Sequence, residues 1–60
     1  MLNVKELRTA KGITQEQLAK ECDVQRTTIT MIEIGENKPS VELAKKLGTI
    51  FEVDWKGFFE

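Results

Sequence analysis

Apolar residues recur along this chain three and four positions apart, which is the spacing of helices with one buried face. The first predicted helix is capped by Asn3, which fits a capping box with Glu6, and it is stopped by Gly12. The second starts with a capping box of Thr14 and Gln17 and ends at about residue 21 or 22. The apolar positions that set this spacing are Val4, Leu7, Ala10, Leu18, Ala19 and Cys22.

A third helix is predicted from about Gln25 or Arg26 to residue 34. At about 100° per residue, Ile29 and Ile32 lie on one face, which we expect to point toward the core. The opposite face carries Thr27, Thr30, Met31 and Ile34. Met31 and Ile34 are large apolar side chains on this outward face. Three explanations are open, namely contact with DNA, contact with a protein partner, or packing within the chain.

The end of the chain predicts two further helical segments. Gly35 and Pro39 bound a loop that ends where Ser40 can cap a fourth helix. Gly48 lies inside that helix at a cost of about 1 kcal/mol relative to alanine, and Asp54 can cap a last short segment. No segment alternates apolar and polar residues as a strand would. The predicted fold is all-α, a compact bundle of about five short helices in a single domain spanning residues 1–60.

Composition narrows the class of protein. A chain of 60 residues with 40% apolar and 32% charged residues suits one small folded domain. Nine Lys and Arg against ten Asp and Glu give a net charge of −1, so any surface for nucleic acid must be local. With no apolar run that could span a bilayer and no signal-peptide pattern, we expect a cytoplasmic protein.

The residue types give little support to an enzyme. Cys22 is the only cysteine and there is no histidine, which excludes an internal disulfide, a Cys/His metal set and a Cys–His nucleophile pair. We expect Cys22 to be a small buried apolar residue in a reducing compartment. The carboxylates are scattered and no glycine-rich phosphate loop is present. We therefore expect neither catalysis, nor a cofactor or metal, nor a small-molecule ligand.

Only about three residues join the second and third predicted helices. Such a connection suits a helix-turn-helix, with Val24 as the apolar plug of the turn. Spacing alone leaves other small helical bundles open, because these also contain tight helix pairs.

The stretch ITQEQLAKECDVQRTTITMIEIGENKPSVELAKKL resembles the Cro and lambda-repressor-like family of helix-turn-helix DNA-binding proteins. The resemblance covers nearly the whole chain. It rests on Leu7, Arg8, Lys11, Gly12, Thr14, Gln15, Leu18, Ala19, Val24, Ile29, Ile32, Glu33, Gly35, Pro39, Ser40, Leu43 and Ala44. It implies a bundle of four or five helices, with the second and third forming the helix-turn-helix, and a role in regulating transcription, here predicted to be repression.

The resemblance also implies which residues meet double-stranded DNA. The third helix would lie in the major groove with its N-terminal residues at base edges, which nominates Gln25, Arg26, Thr27 and Thr30. Arginine can bond guanine through two nitrogens, glutamine can bond adenine, and threonine offers a hydroxyl and a methyl group. Contacts to the DNA backbone are expected from Thr14, Gln15, Met31, Asn37, Lys38 and Ser40.

Arg8 and Glu33 border the predicted core, where an unpaired charge would be costly. The family often joins these two positions by a partly buried ion pair. We therefore expect a structural role for both residues.

The chain departs from the family pattern at two places. Asp23 stands where glycine is usual, so it must adopt a left-handed backbone conformation or shift the turn. Met31 and Ile34 stand where basic or polar residues are common, which predicts modest affinity for DNA and a shallow dependence on salt.

A homodimer on a near-palindromic site would compensate by doubling the contacts. The candidate dimer interface is the aromatic cluster Phe51, Trp55, Phe58 and Phe59, and the alternative is that these rings close the core. A second functional hypothesis is a protein-interaction module on the same fold, an antitoxin or accessory regulator, that uses the face of Met31 and Ile34.

Overall fold

The computed structural model describes residues 1–59 as four α-helices followed by one 3-10 turn, with no strand in that range. The helices are α1 (Val4–Lys11), α2 (Gln15–Cys22), α3 (Arg26–Glu33) and α4 (Val41–Phe51), and the 3-10 turn is Trp55–Phe58. The all-α prediction is confirmed, but the count of about five short helices is slightly wrong. The last segment has only four residues, which is too short to build consecutive α-helical hydrogen bonds.

Side-chain caps start three of the four α-helices where the sequence predicts them. Asn3 Oδ1 accepts the Glu6 amide at 3.0 Å, although the return bond that would complete a capping box is absent among residues 1–59. Thr14 and Gln17 make both bonds of a capping box, at 3.0 and 2.8 Å. Ser40 Oγ accepts the Leu43 amide at 3.1 Å in front of α4.

The turn between α2 and α3 takes one of the two forms that the sequence allowed, with Asp23 in the left-handed conformation. Asp23 adopts φ 57° and ψ 45°, and its amide donates to the Lys20 carbonyl at 3.2 Å. Val24 is half-buried and packs against the core. Gln25 and Ile34 flank α3 as its caps, so the helix begins at Arg26, within the predicted start, and ends one residue before the predicted residue 34.

The core lies where all four α-helices and the 3-10 turn meet. Ile29 of α3 is fully buried, as predicted, whereas Ile32 is only half-buried at the edge of the core. Cys22 is a buried free thiol, and burial raises its pKa. The buried apolar residues are Val4, Leu18, Ala19, Cys22, Ile29, Leu43, Ala44, Leu47 and Phe58.

Gly48 is required by close packing, which sequence alone does not reveal. A methyl group there would lie 2.9 Å from the Val53 carbonyl oxygen and 3.0 Å from Trp55 Cβ. The chain after α4 therefore folds back directly onto Gly48. The N-terminus packs against the same segment, because the Leu2 amide donates to the Gly57 carbonyl at 2.8 Å.

Phe58 is 3% exposed and belongs to the core. It therefore has to be removed from the predicted dimer interface, since a ring enclosed by its own chain is not available to a partner. Among the helices of residues 1–59, none combines the length and apolar character that crossing a membrane requires.

Candidate nucleic-acid interface

The start of α3 presents three exposed polar residues, Gln25, Arg26 and Thr27. Gln25 is the N-cap, but its side chain makes no capping hydrogen bond. Within residues 1–59, Arg26 has no ion-pair partner and Thr27 makes no side-chain hydrogen bond. All three side chains are therefore free to contact another molecule.

The start of α2 borders an open polar depression. The capping box occupies the amides of Thr14 and Gln17, whereas the amides of Gln15 and Glu16 are in the first turn and have no partner within the helix. Free amides at a helix start favour an anion. The depression brings the start of α2 together with α3 and is lined by Arg8, Gly12, Ile13, Thr14, Gln15, Glu16 and Arg26.

An ion pair between Arg8, which lines this depression, and Glu33 joins α1 to the end of α3. Arg8 Nε donates to Glu33 Oε2 at 2.7 Å, and the two side chains are only 15% and 3% exposed. Arg8 Nη2 reaches Glu33 Oε1 at 3.3 Å, and Nη1 donates to the Ile13 carbonyl at 2.9 Å. Both charges are thus compensated by hydrogen bonds, as burial requires.

The carboxylate of Glu33 is kept ionised by its neighbours. Burial by itself raises the pKa of Glu33, but hydrogen bonds from Arg8 and Gln15, with the positive charge of Arg8, outweigh it and lower the pKa below its ordinary value. Glu33 is therefore an acceptor at neutral pH.

Gln15 bridges α2 and α3, an arrangement that sequence reasoning missed. Its Nε2 donates to Glu33 Oε1 at 2.9 Å, and its Oε1 accepts the Thr30 hydroxyl at 3.0 Å. Thr30 is half-buried, and its hydroxyl also lies 3.2 Å from the Arg26 carbonyl oxygen. No local motif signals this bridge, because Gln15 lies 18 residues from Glu33 in sequence.

The other predicted backbone contacts lie around the C-terminal end of α3. The Met31 carbonyl accepts the amides of Glu36 and Asn37 at 3.0 and 3.3 Å, which ties the following loop to the helix. Met31 is half-buried, whereas Asn37 and Lys38 are exposed. Ile34 is 64% exposed, so it is the more prominent of the two unusual apolar residues.

The remaining aromatic residues gather at the opposite end of the chain. Trp55 and Phe51 are half-buried and Phe59 is 36% exposed. Trp55 packs edge to face with Phe59 at 6.2 Å between ring centroids, and Lys45 Nζ lies 5.5 Å from the Trp55 ring centre. Across residues 1–59, no group of three acidic or cysteine side chains is placed to hold a metal ion.

Comparison with known proteins agrees with this geometry. A family model described as helix-turn-helix matches residues 4–58. The chain is 47% identical over 57 residues to the uncharacterized HTH-type transcriptional regulator YqaF of Bacillus subtilis, which covers 95% of this chain and 75% of YqaF. It is 42% identical over 50 residues to the HTH-type transcriptional activator BcrR of Enterococcus faecalis, which covers 83% of this chain and 24% of BcrR.

Among solved structures, the N-terminal DNA binding domain of SinR from Bacillus subtilis has the same fold. It superimposes with a TM-score of 0.83 at 22% identity, covering 95% of this chain and 84% of that one. The family match spans all four α-helices and the 3-10 turn, including the turn at Asp23 and Val24. The chain therefore belongs to the helix-turn-helix family of the Cro and lambda-repressor type.

Proposed function

We propose that this chain is a sequence-specific DNA-binding regulator of transcription, with α3 as the helix that enters the major groove. The observation that carries the proposal is the free state of Gln25, Arg26 and Thr27 at the start of α3. An α-helix fits the major groove, and its N-terminal residues are the ones that meet base edges in this class of protein. A domain with this role needs no catalytic activity.

Arg26 is the central residue for sequence recognition. It is the single cation of α3, and its guanidinium can donate two parallel hydrogen bonds to O6 and N7 of guanine. Gln25 can pair in the same two-bonded manner with adenine, Thr27 can contact a thymine methyl group or an amino group, and the Thr30 oxygen can accept from an amino group. A correct bidentate pair contributes about 1–3 kcal/mol of discrimination.

Contacts to the DNA backbone would flank α3 on both sides. On one side are Thr14 and the free amides of Gln15 and Glu16. On the other are Met31, Asn37, Lys38 and Ser40, at the end of α3 and in the loop before α4. Because few of these groups are cationic, each domain should release few counterions when it binds DNA. A plot of the logarithm of affinity against the logarithm of salt concentration falls with a slope of about 0.9 per neutralised phosphate, so the slope should be shallow.

We propose that the protein acts as a homodimer on a near-palindromic operator and represses transcription. Two domains would place two copies of α3 in successive major grooves, about 34 Å apart. Repression requires only that the bound protein obstruct the promoter, so a small DNA-binding domain can achieve it without an activating surface. The relative BcrR is named an activator, and a promoter fusion that is induced by this protein would reverse the proposed direction.

Selection of duplexes from a random pool tests the proposal directly. The parent should enrich one sequence with two related half-sites, and Arg26→Ala should lose the preference for guanine at one position of each half-site. Lys56→Ala removes an exposed cation on the 3-10 turn, outside the predicted DNA-contacting residues, and is the matched control. If the parent enriches no sequence, sequence-specific DNA binding is refuted.

The exposure of Ile34 favours a second candidate, a surface that binds a protein partner. The two candidates make opposite predictions for Ile34→Lys. Added positive charge beside the groove should strengthen DNA binding and steepen its salt dependence. If α3 serves a protein instead, the parent should enrich no duplex and Ile34→Lys should create no sequence preference.

A further inference from the structure

The Thr30 hydroxyl, unlike that of Thr27, lies within hydrogen-bond distance of two acceptors of the protein. Its oxygen lies 3.0 Å from Gln15 Oε1 and 3.2 Å from the Arg26 carbonyl oxygen. Both neighbours are acceptors, and a hydroxyl has a single proton to donate. Whichever neighbour receives it, the proton points into the protein.

Glu33 determines which end of the Gln15 side-chain amide faces Thr30. An ionised carboxylate only accepts hydrogen bonds, so the group of Gln15 that lies 2.9 Å from Glu33 has to be its NH2 group. The Gln15 oxygen then faces Thr30 and accepts from it. Arg8, at 2.7 Å, holds the Glu33 carboxylate in place. Arg8, Glu33 and Gln15 together thereby specify the hydrogen-bonding character of a half-exposed hydroxyl on α3.

We propose that Thr30 is a specificity-determining residue that can only accept a hydrogen bond from DNA and so selects a base with an exocyclic amino group. In the major groove these bases are adenine, through N6, and cytosine, through N4. Guanine and thymine present a carbonyl oxygen at the corresponding position, O6 and O4 respectively. Two acceptor oxygens would then face each other with no proton between them, which is unfavourable. This inference rests on the proposed insertion of α3 into the groove.

Thr27 supplies the internal comparison. It lies one turn earlier on α3, is exposed, and makes no side-chain hydrogen bond within residues 1–59. Its hydroxyl can rotate to donate or to accept. Thr27 should therefore tolerate either kind of base, whereas Thr30 should not.

The experiment compares the selected half-sites of the parent, Thr30→Val and Thr27→Val. Valine keeps the shape of threonine and removes only the hydroxyl function, and thermal melting checks that each variant folds. The parent should favour adenine or cytosine over guanine or thymine by about fivefold at one position, as expected for one net hydrogen bond. Thr30→Val should abolish that preference and Thr27→Val should keep it.

Two results would overturn the inference while leaving the proposed function intact. One is a selected site in which the position sensitive to Thr30→Val prefers guanine or thymine. The other is a selected site that Thr30→Val does not alter at any position. A parent that enriches no site refutes the proposed function, and the inference falls with it.

The hydrogen-bond chain itself is tested by nuclear magnetic resonance of the free protein. The side-chain amide resonances of Gln15 should shift in Thr30→Val and stay in place in Thr27→Val. Unchanged Gln15 resonances in Thr30→Val would overturn the proposed orientation without any DNA present.

Discussion

Glu33 shows how one buried residue supports both stability and the surface around it. Its carboxylate accepts from Arg8 of α1 and from Gln15 of α2, while its own backbone ends α3. Removing one partner of a buried pair leaves the other charge uncompensated, which costs more than the pair contributes as a whole. Three helices therefore depend on this one side chain for their relative placement.

Glu33→Ala should lower the free energy of unfolding by about 3 kcal/mol, because it leaves the Arg8 guanidinium largely buried without a carboxylate. A domain of this size has a total stability of only roughly 3–9 kcal/mol, so this substitution removes about a third of it or more. Urea denaturation measures the loss. Glu42→Ala is the control, since its side chain is 85% exposed and its contact with Lys46 spans 3.9 Å. Equal losses in the two variants would contradict the structural role of Glu33.

The pKa of Glu33 predicts how stability depends on pH. Because this pKa is lower in the folded chain than its ordinary value of 4.5, the unfolded chain takes up the proton first as pH falls. The contribution of Glu33 should be complete above about pH 5 and should be lost progressively below the ordinary value. Urea denaturation between pH 7 and pH 3 should show a steeper loss for the parent than for Glu33→Gln. Parallel curves would contradict the lowered pKa.

At the scale of elements, α3 is the helix with the weakest start and the strongest link to the proposed function. Asn3, Thr14 and Ser40 cap the other α-helices through their side chains, but Gln25 makes no such bond. Glutamine is a poor N-cap, because its longer side chain does not return easily to the helix amides. The sequence therefore gives up helix stability at a position whose side chain is free and is proposed to contact DNA.

Gln25→Ser tests whether position 25 trades helix stability for DNA binding. A serine hydroxyl can accept a free amide of the first turn of α3, which should raise the free energy of unfolding by about 1 kcal/mol. The same change removes a side chain proposed to contact a base, so affinity for the selected duplex should fall. Thermal melting and a binding titration on one preparation measure both effects. A variant that gains stability and binds unchanged would remove Gln25 from the DNA-contacting set.

At the scale of the whole molecule, a small domain with a net charge of −1 must rely on local geometry to bind DNA. A homodimer, which doubles the contacts with DNA, is the simplest way to offset the low positive charge of one domain. After Phe58 is assigned to the core, Phe51, Trp55 and Phe59 remain as the candidate dimer surface, with Phe59 36% exposed.

Sedimentation should show a dimer of the parent at micromolar concentrations, since aromatic rings that are partly exposed in one chain gain free energy when a second copy covers them. Phe59→Ser should shift the equilibrium toward the monomer. Ile34→Ser, which changes an exposed apolar residue outside the aromatic cluster, should not. A parent that sediments as a monomer at high concentration would exclude this dimer.

Much of this molecule follows from short stretches of sequence. The capping box of Thr14 and Gln17, the left-handed Asp23 and the buried Ile29 are all predictable, because caps, turns and helical faces depend on residues within four positions of one another. The family, and with it the helix-turn-helix, also follows from sequence, since the motif spans one continuous stretch.

Packing between distant segments decided the rest. Gly48 is needed because residues 53–55 return onto α4, and Phe58 is buried by the same return. Gln15 bridges Glu33 and Thr30 only because the fold brings α2 against α3, across 18 and 15 residues of sequence. Local spacing therefore determined the helices and their caps, whereas tertiary packing decided which polar groups on α3 remain free, since hydrogen bonds between helices depend on three-dimensional proximity rather than sequence separation.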